Sequence, residues 1–285
     1  MYIGRFAPSP TGALHFGSLV AALAGWLDAR AAGGRWLMRI EDLDAPRAQP
    51  GAAEEMLRTL GRLGLEWDGR VVFQSRRSEL YRRALQKLEQ QAYWCACSRR
   101  EIADSSLGLA ADGAQIYPGT CRSGIAPGKT PRALRLRATL EPTAFTDRVQ
   151  GSQEQVLERD VGDFVLYRPD AQFAYQLAVV VDDAEQGVTD VVRGADLLDS
   201  TPRQIYLQRL LGYPAPRYLH IPAAVDAAGE KLSKQTGAPP ILDGTNALRR
   251  ALSFLGQPET DDLAQAVKNW DPALIPRRRA LAAAP

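Results

Sequence analysis

Histidine and cysteine are scarce in this 285-residue chain, two and three respectively, and no apolar run approaches the length of a membrane span. Three cysteines are an odd, sparse set, and no leader peptide precedes them, which argues against a secreted disulfide scaffold and for the cytoplasm. A large charge excess is missing as well. The 35 Lys and Arg against 33 Asp and Glu leave +2, too little to imply a nucleic-acid partner. The local groups Arg82-Arg83, Arg99-Arg100 and Arg277-Arg278-Arg279 read either as nucleic-acid contacts or as solvated faces. Repeats and low-complexity tracts are absent apart from the Ala-rich end. With 45% hydrophobic residues the chain can bury a sizeable core, and nothing in it signals disorder.

What is present is an alternation of strand-like runs with helical patterns, which implies βαβ units and a parallel sheet, hence an α/β fold. Strands are expected at 2–6, 36–41, 71–73, 188–193 and 218–225. Helices are expected at 14–32, 52–63, 78–91, 173–183, 201–211 and 242–255, the first of them amphipathic, with 261–270 and a basic tail, Arg277-Arg278-Arg279, ending in small residues, after the last. Between 91 and 163 the pattern breaks into glycines, prolines, all three cysteines and alternating runs such as Ala133-Leu134-Arg135-Leu136-Arg137. An inserted subdomain of mixed structure is expected there.

Two short segments carry the chemistry. His15-Phe16-Gly17-Ser18 follows the strand-like Tyr2-Ile3-Gly4-Arg5-Phe6 and the turn-rich Ala7-Pro8-Ser9-Pro10-Thr11-Gly12, and opens a helix. A helix N-terminus offers free N–H groups and the positive end of the dipole to a phosphate, and Gly17 has no side chain to block a nucleotide. Lys231-Leu232-Ser233-Lys234-Gln235 lies on a polar loop after an apolar run and can supply mobile positive charge from the other side. His15 taken alone would read as a helix cap.

Together the segments resemble the HIGH and KMSKS motifs of class I aminoacyl-tRNA synthetases, and Arg5-Phe6-Ala7-Pro8-Ser9-Pro10-Thr11-Gly12 narrows the resemblance to the glutamyl branch. It covers about residues 2–235. Two positions depart from the pattern: Ser18 replaces the second histidine and Gln235 the final serine, so roles of those side chains do not carry over. The resemblance implies a Rossmann-like catalytic domain split between 1–91 and 163–240, with a zinc-bearing insertion at 92–162 and a short helical segment at 241–285. It also implies ATP with Mg²⁺. His15, Gly17, Ser18 and Lys234 would meet the nucleotide, and His15, Lys231 and Lys234 would stabilise the transition state for attack of an amino-acid carboxylate on the α-phosphate.

Glutamate carries two carboxylates and one ammonium, so its pocket needs at least two cations and one anion. Arg5, Arg193 and Glu41 answer that description. The resemblance places Arg5, Phe6, Ala7, Pro8 and Ser9 in the substrate site, Glu41 on the ammonium, and Tyr175 with Arg193 on the carboxylates. Read without it, Glu41 and Arg193 are surface ion-pair residues and Tyr175 a helix core residue. His220, inside the last strand, reads as structural.

Cys95, Cys97 and Cys121 could converge on one ion, but tetrahedral zinc needs a fourth ligand and neither histidine is near; the Tyr117 hydroxyl is the nearest donor. Three reduced thiols remain the alternative. By resemblance, glutamyl-type synthetases and their truncated relatives carry one structural zinc on such a Cys-x-Cys, Tyr, Cys set.

The chain ends about fifty residues after Lys234, which leaves no room for an anticodon-reading domain. This matches the truncated branch of the glutamyl family, whose members load glutamate onto the queuosine base at the wobble position of tRNA(Asp). The partners expected are therefore L-glutamate, ATP and tRNA(Asp) carrying queuosine, for a monomer with no membrane contact. A compact enzyme charging a tRNA 3′ end, or a non-catalytic tRNA-binding relative, are the alternatives; the intact lysine pair and the Arg5, Glu41, Arg193 set argue against the second.

Overall fold

The computed structural model describes residues 1–226, 229–230, 232, 241 and 244–283, with the backbone alone at 244 and 245. Lys231, Ser233, Lys234 and Gln235 lie outside the described residues. In chain order the main elements are β1 (Ile3–Phe6), α1 (Phe16–Ala31), β2 (Arg35–Ile40), α2 (Ala52–Arg62), β3 (Val72–Phe73), α3 (Ser78–Lys87), β4 (Ala92–Cys95), α4 (Arg99–Ser105), β5 (Ala133–Leu136), β6 (Pro142–Asp147), β7 (Gly151–Val156), α5 (Leu157–Asp160), β8 (Phe164–Tyr167), α6 (Tyr175–Glu185), β9 (Asp190–Gly194), α7 (Thr201–Leu211), β10 (Arg217–Ile221), β11 (Ala223–Val225), α8 (Gly244–Phe254), α9 (Leu263–Asn269) and β12 (Ala280–Ala282).

The expected parallel pairing forms in two groups. β1, β2 and β3 run parallel in that order, with Ile3 opposite Arg35 and Phe6 opposite Met38. β9 and β10 run parallel, β6 joins β10 at Tyr218 opposite Asp147, and β7 closes back on β6 as an antiparallel edge. The groups meet where β1 lies beside β9: the Thr189 N–H donates to the Ile3 carbonyl and the Ile3 N–H to the Thr189 hydroxyl, both at 2.9 Å. The chain therefore builds outward in one direction from β1 and in the other from β9. A crevice opens at such a reversal, outside the carboxyl ends of the strands.

Helix α1 is not the amphipathic helix expected. Leu19, Val20 and an unbroken run from Ala22 to Ala29 are buried, because α1 is sandwiched between β1, β2 and β9 on one side and α8 and α9 on the other. A helix covered on both sides is apolar around most of its circumference. Its one buried acid, Asp28, accepts from the Tyr2 hydroxyl at 2.6 Å and the Trp270 indole at 3.0 Å and pairs with Arg148. A second core gathers α3, α6 and α7 against Leu136, Phe164 and Leu166.

The expected strand 218–225 is two strands. Pro222 has no N–H to give a ladder and separates β10 from β11. The chain end, read as a basic tail of small residues, instead docks as β12 parallel to β11, with Arg279 paired to Asp199 at 2.9 Å. In the middle of the chain β4, β5 and β8 form a separate antiparallel sheet. Strand pairing crosses the expected boundaries of 92–162: β8 closes the sheet of β4 and β5, while β6 extends that of β9 and β10.

Candidate active site

The loop after β1 leads into α1 at His15. Its ring caps the helix: Nδ1 accepts the Ser18 N–H at 3.3 Å, which leaves the proton on Nε2, 2.9 Å from the Ser18 hydroxyl. Capping and cavity lining coexist here, because the same residue faces the crevice. A Cβ on Gly17 would lie 3.4 Å from both the His15 ring and the Leu232 carbonyl oxygen. Leu232, whose N–H donates to the Ala224 carbonyl at 2.8 Å, thus brings the second motif's backbone against the first.

The floor of the crevice is charged. Arg5, at the end of β1, gives Nε to Asp183 at 3.1 Å, and Arg39 of β2 gives Nη2 to the same carboxylate at 2.7 Å. Asp182, fully buried beside it, collects Gln74 at 2.8 Å, Arg77 at 2.6 Å and the Tyr81 hydroxyl at 2.8 Å. Burial pushes the Asp183 carboxyl up, but Arg5 and Arg39 outweigh it and hold it below the usual carboxylate range. Glu41 stands just beyond β2 with its side chain 10% exposed and Oε1 3.5 Å from Arg39, without a hydrogen-bond partner. Burial dominates there and raises Glu41 to about 7, against the pull of Arg39 and Arg5 and with help from Asp183 and Asp182.

Arg193, at the carboxyl half of β9, borders the same crevice. Its Nε donates to His220 Nε2 at 3.0 Å and its Nη2 to the Thr201 hydroxyl at 2.9 Å, while buried Nη1 has no partner. Tyr175 opens α6, where it packs against the second core and borders the cavity, and burial raises its phenol.

One cavity of about 490 Å³ unites these groups. It is lined by Arg5, Phe6, Ala7, Pro8, Ser9, His15, Gly17, Ser18, Glu41, Tyr175 and Arg193, so every described residue expected at the amino-acid and nucleotide sites borders it. Lys231 and Lys234 lie outside the described residues. Sequence reasoning missed Arg39, Asp182 and Asp183, although two acids closing the apolar run Val179-Val180-Val181 are a signal for buried partners. It missed Asp147 too, for which no local signal exists. Chemically, the cavity offers the buried guanidinium groups of Arg5 and Arg193 and the carboxylate of Glu41 to a small zwitterion, with Asp44 and Asp196 also on its border, beside a helix N-terminus suited to phosphate.

The cysteines come together as expected. The Sγ atoms of Cys95, Cys97 and Cys121 lie within 4.8 Å of one another, and the Tyr117 oxygen is 3.4 Å from both Cys95 and Cys97. That set fits a metal with three thiolates and an oxygen. Burial raises Cys97 to about 11, whereas for Cys121 hydrogen bonds from Tyr117 and the Ala96 backbone outweigh burial and lower it. Gly162 fixes Tyr117: at φ +71° it packs so close that a Cβ would lie 2.4 Å from the Tyr117 carbonyl oxygen. The alternating run of β5 places Arg135 inward, where its guanidinium stacks 4.1 Å from the Tyr117 ring centroid.

Fold and site together define a class I synthetase catalytic unit, and the chain belongs to that family: the model of tRNA synthetases class I (E and Q), catalytic domain, matches residues 3–252. Curated relatives are more particular. Proteins named Glutamyl-Q tRNA(Asp) synthetase from Aromatoleum aromaticum and Dechloromonas aromatica are 56% and 57% identical, over 97% of this chain and 91% and 96% of theirs. One of the same name from Verminephrobacter eiseniae is 56% identical over 98% of this chain. Among solved structures, a glutamate tRNA ligase from Elizabethkingia meningosepticum superposes with a TM-score of 0.83 at 22% identity, over 99% of this chain and 67% of that one. A glutamate-tRNA synthetase from Elizabethkingia anophelis gives 0.83 at 23%. These two share the fold. Among the described residues no helix is long and apolar enough to cross a membrane.

Proposed function

We propose that the chain activates L-glutamate with ATP to glutamyl-adenylate, without tRNA, and transfers the glutamyl group to the queuosine base at the wobble position of tRNA(Asp). The observation that carries the first half is the charge pattern of the cavity: Arg5 and Arg193, on the neighbouring strands β1 and β9, and Glu41, just after β2, all line it at the switch between β1 and β9. That pattern complements two carboxylates and an ammonium. The names of full-length relatives support the second half.

In the first step a glutamate carboxylate oxygen bonds to the α-phosphorus and the bond to the bridging oxygen of pyrophosphate breaks. His15 and the N-terminus of α1 orient the phosphates, and Lys231 and Lys234 neutralise the departing pyrophosphate. Mg²⁺, when bound with ATP, neutralises phosphate charge. In the second step a hydroxyl of the queuosine cyclopentenediol attacks the activated carbonyl, AMP leaves, and the hydroxyl proton passes to solvent; orientation rather than a strong base drives this. Cys95, Cys97, Cys121 and Tyr117 would hold one structural zinc, an ion that suits a thiolate-rich donor set.

The test is transfer of labelled glutamate, with ATP and Mg²⁺, to tRNA(Asp) with and without queuosine, followed by nuclease digestion to locate the label. Label on the anticodon-loop fragment that requires queuosine supports the proposal. Label on the 3′-terminal fragment would replace it with ordinary charging of a tRNA end.

A further inference from the structure

The guanidinium of Arg193 is not held by an acid. Its Nε donates instead to a fully buried imidazole, His220 Nε2, at 3.0 Å. An imidazole nitrogen that accepts has no proton, so the ring proton sits on Nδ1, and Nδ1 faces Asp147 Oδ2 at 2.6 Å. Asp147 is itself anchored: its Oδ1 accepts backbone N–H groups from Val149 at 3.0 Å, Gln150 at 2.8 Å and His220 at 3.2 Å. Thr201 takes Arg193 Nη2 at 2.9 Å. Two of the guanidinium's three nitrogens are therefore fixed from behind, and Nη1 is left buried without a partner on a residue that lines the cavity.

We propose that Asp147 and His220 are positioning residues for substrate recognition, in which Asp147 fixes the Nδ1–H tautomer of a neutral His220 and His220 in turn aims Arg193 so that Nη1 meets a carboxylate of the amino-acid substrate. The inference rests on the glutamate reading given above. An aspartate in the place of His220 would neutralise Arg193 and weaken its hold on an anion; a neutral acceptor orients the guanidinium and leaves its full charge for the ligand. A protonated His220 would instead present an N–H to the Arg193 N–H and set two cations side by side. The charged and titratable groups around the ring are Asp147 from β6, Arg193 from β9, Asp196 from the turn after β9, and Tyr218 from its own strand. Burial and Arg193 outweigh Asp147 and hold His220 near 4, so the neutral form persists across the working range.

Two measurements test this. The chain contains two histidines, so ¹⁵N NMR of histidine-labelled protein shows two rings, and H220Q assigns them. The expected result is that His220 stays neutral and protonated at Nδ1 from about pH 8 to pH 5.5; an Nε2–H tautomer, or titration near the ordinary histidine value, overturns the proposal without any variant having to fold. In pyrophosphate exchange with L-glutamate, H220A should raise the glutamate KM roughly tenfold to a hundredfold, the scale of leaving a buried donor unpaired, with the ATP KM unchanged. H220Q, whose amide oxygen can take the place of Nε2, should recover most of that loss. An unchanged glutamate KM in H220A, or no recovery in a folded H220Q, would overturn it. A wild-type protein with the expected tautomer but no glutamate-dependent exchange would fail the glutamate reading instead, leaving Arg193 aimed at a different carboxylate.

Discussion

Asp183 and Arg5 form a buried ion pair at 3.1 Å although 178 residues separate them in the chain, and the same carboxylate holds Arg39 at 2.7 Å. One acid on α6 thereby fixes the carboxyl ends of β1 and β2 relative to each other, and with them Arg5 and the start of the loop that carries Glu41.

Replacing Asp183→Asn should leave buried Arg5 without its charge partner and Arg39 with only the more distant Glu41 at 3.5 Å and Asp182 at 3.8 Å. The expected loss is about 3–5 kcal/mol of stability at neutral pH, the usual result of breaking a buried pair by removing one member. Because the folded carboxyl titrates below its unfolded value, its contribution is present above the unfolded value and declines as the medium becomes more acidic. Urea denaturation at pH 7 and pH 3.5 checks both: a midpoint that does not move at pH 7 would refute the role, and the gap between wild type and variant should narrow at pH 3.5.

Glutamate affinity should depend on the state of Glu41. Its carboxyl is raised to about 7, so the free protein holds a proton there through much of the mildly acidic range, and ionising it costs stability as pH rises from the ordinary carboxylate value through about 7. An ammonium ligand needs the ionised form. Binding should therefore strengthen on going from pH 5.5 to 8, with loss approaching tenfold per pH unit below the midpoint, and E41Q should bind weakly at both ends. Calorimetric titration with L-glutamate reads this directly; a flat profile in the wild type would remove Glu41 from the ammonium site.

The thiol cluster gives a separable prediction. Purified protein should contain about one zinc per chain, and Cys97→Ser should lose most of it and lower Tm by several degrees while pyrophosphate exchange changes little. Metal uptake by the chelated protein should release protons, since Cys97 stands near 11 without a metal. Full zinc content in the variant would argue for three ordinary thiols.

For the lysine motif, Lys234→Ala should slow pyrophosphate exchange by roughly 10²-fold or more, the effect of losing one preorganised donor to a developing anion. Glutamate binding by calorimetry should be nearly unchanged, and an unaltered exchange rate would exclude the assigned role.

Much of the site was legible because it is built from continuous segments. Arg5 through Ser9 and His15 through Ser18 follow one another as strand, turn and helix start, and Glu41 follows a strand; the resemblance to class I synthetases rests on such continuous segments. The cysteines were legible for the same reason: Cys95 and Cys97 share a strand end, and Tyr117 and Cys121 one short loop. Helix α7 matches the expected 201–211, bounded by Pro202 in its first turn and Gly212 at φ +69°.

What the sequence could not determine depends on contacts between distant residues. Amphipathicity was misread in α1 because the cover on its outer face comes from α8 and α9, more than two hundred residues later. Asp182 and Asp183 have partners on β1, β2 and α3, and Asp147 and His220 stand 73 residues apart on neighbouring strands. The sequence, through its resemblance to the class I synthetases, nominated the groups proposed to meet a glutamate and a nucleotide, because the motifs that carry the resemblance are short and continuous. Only the tertiary structure decided which buried acids and which neutral imidazole hold those groups in place, because ion pairing and tautomer choice depend on what lies within about 3 Å, and sequence spacing does not record that distance.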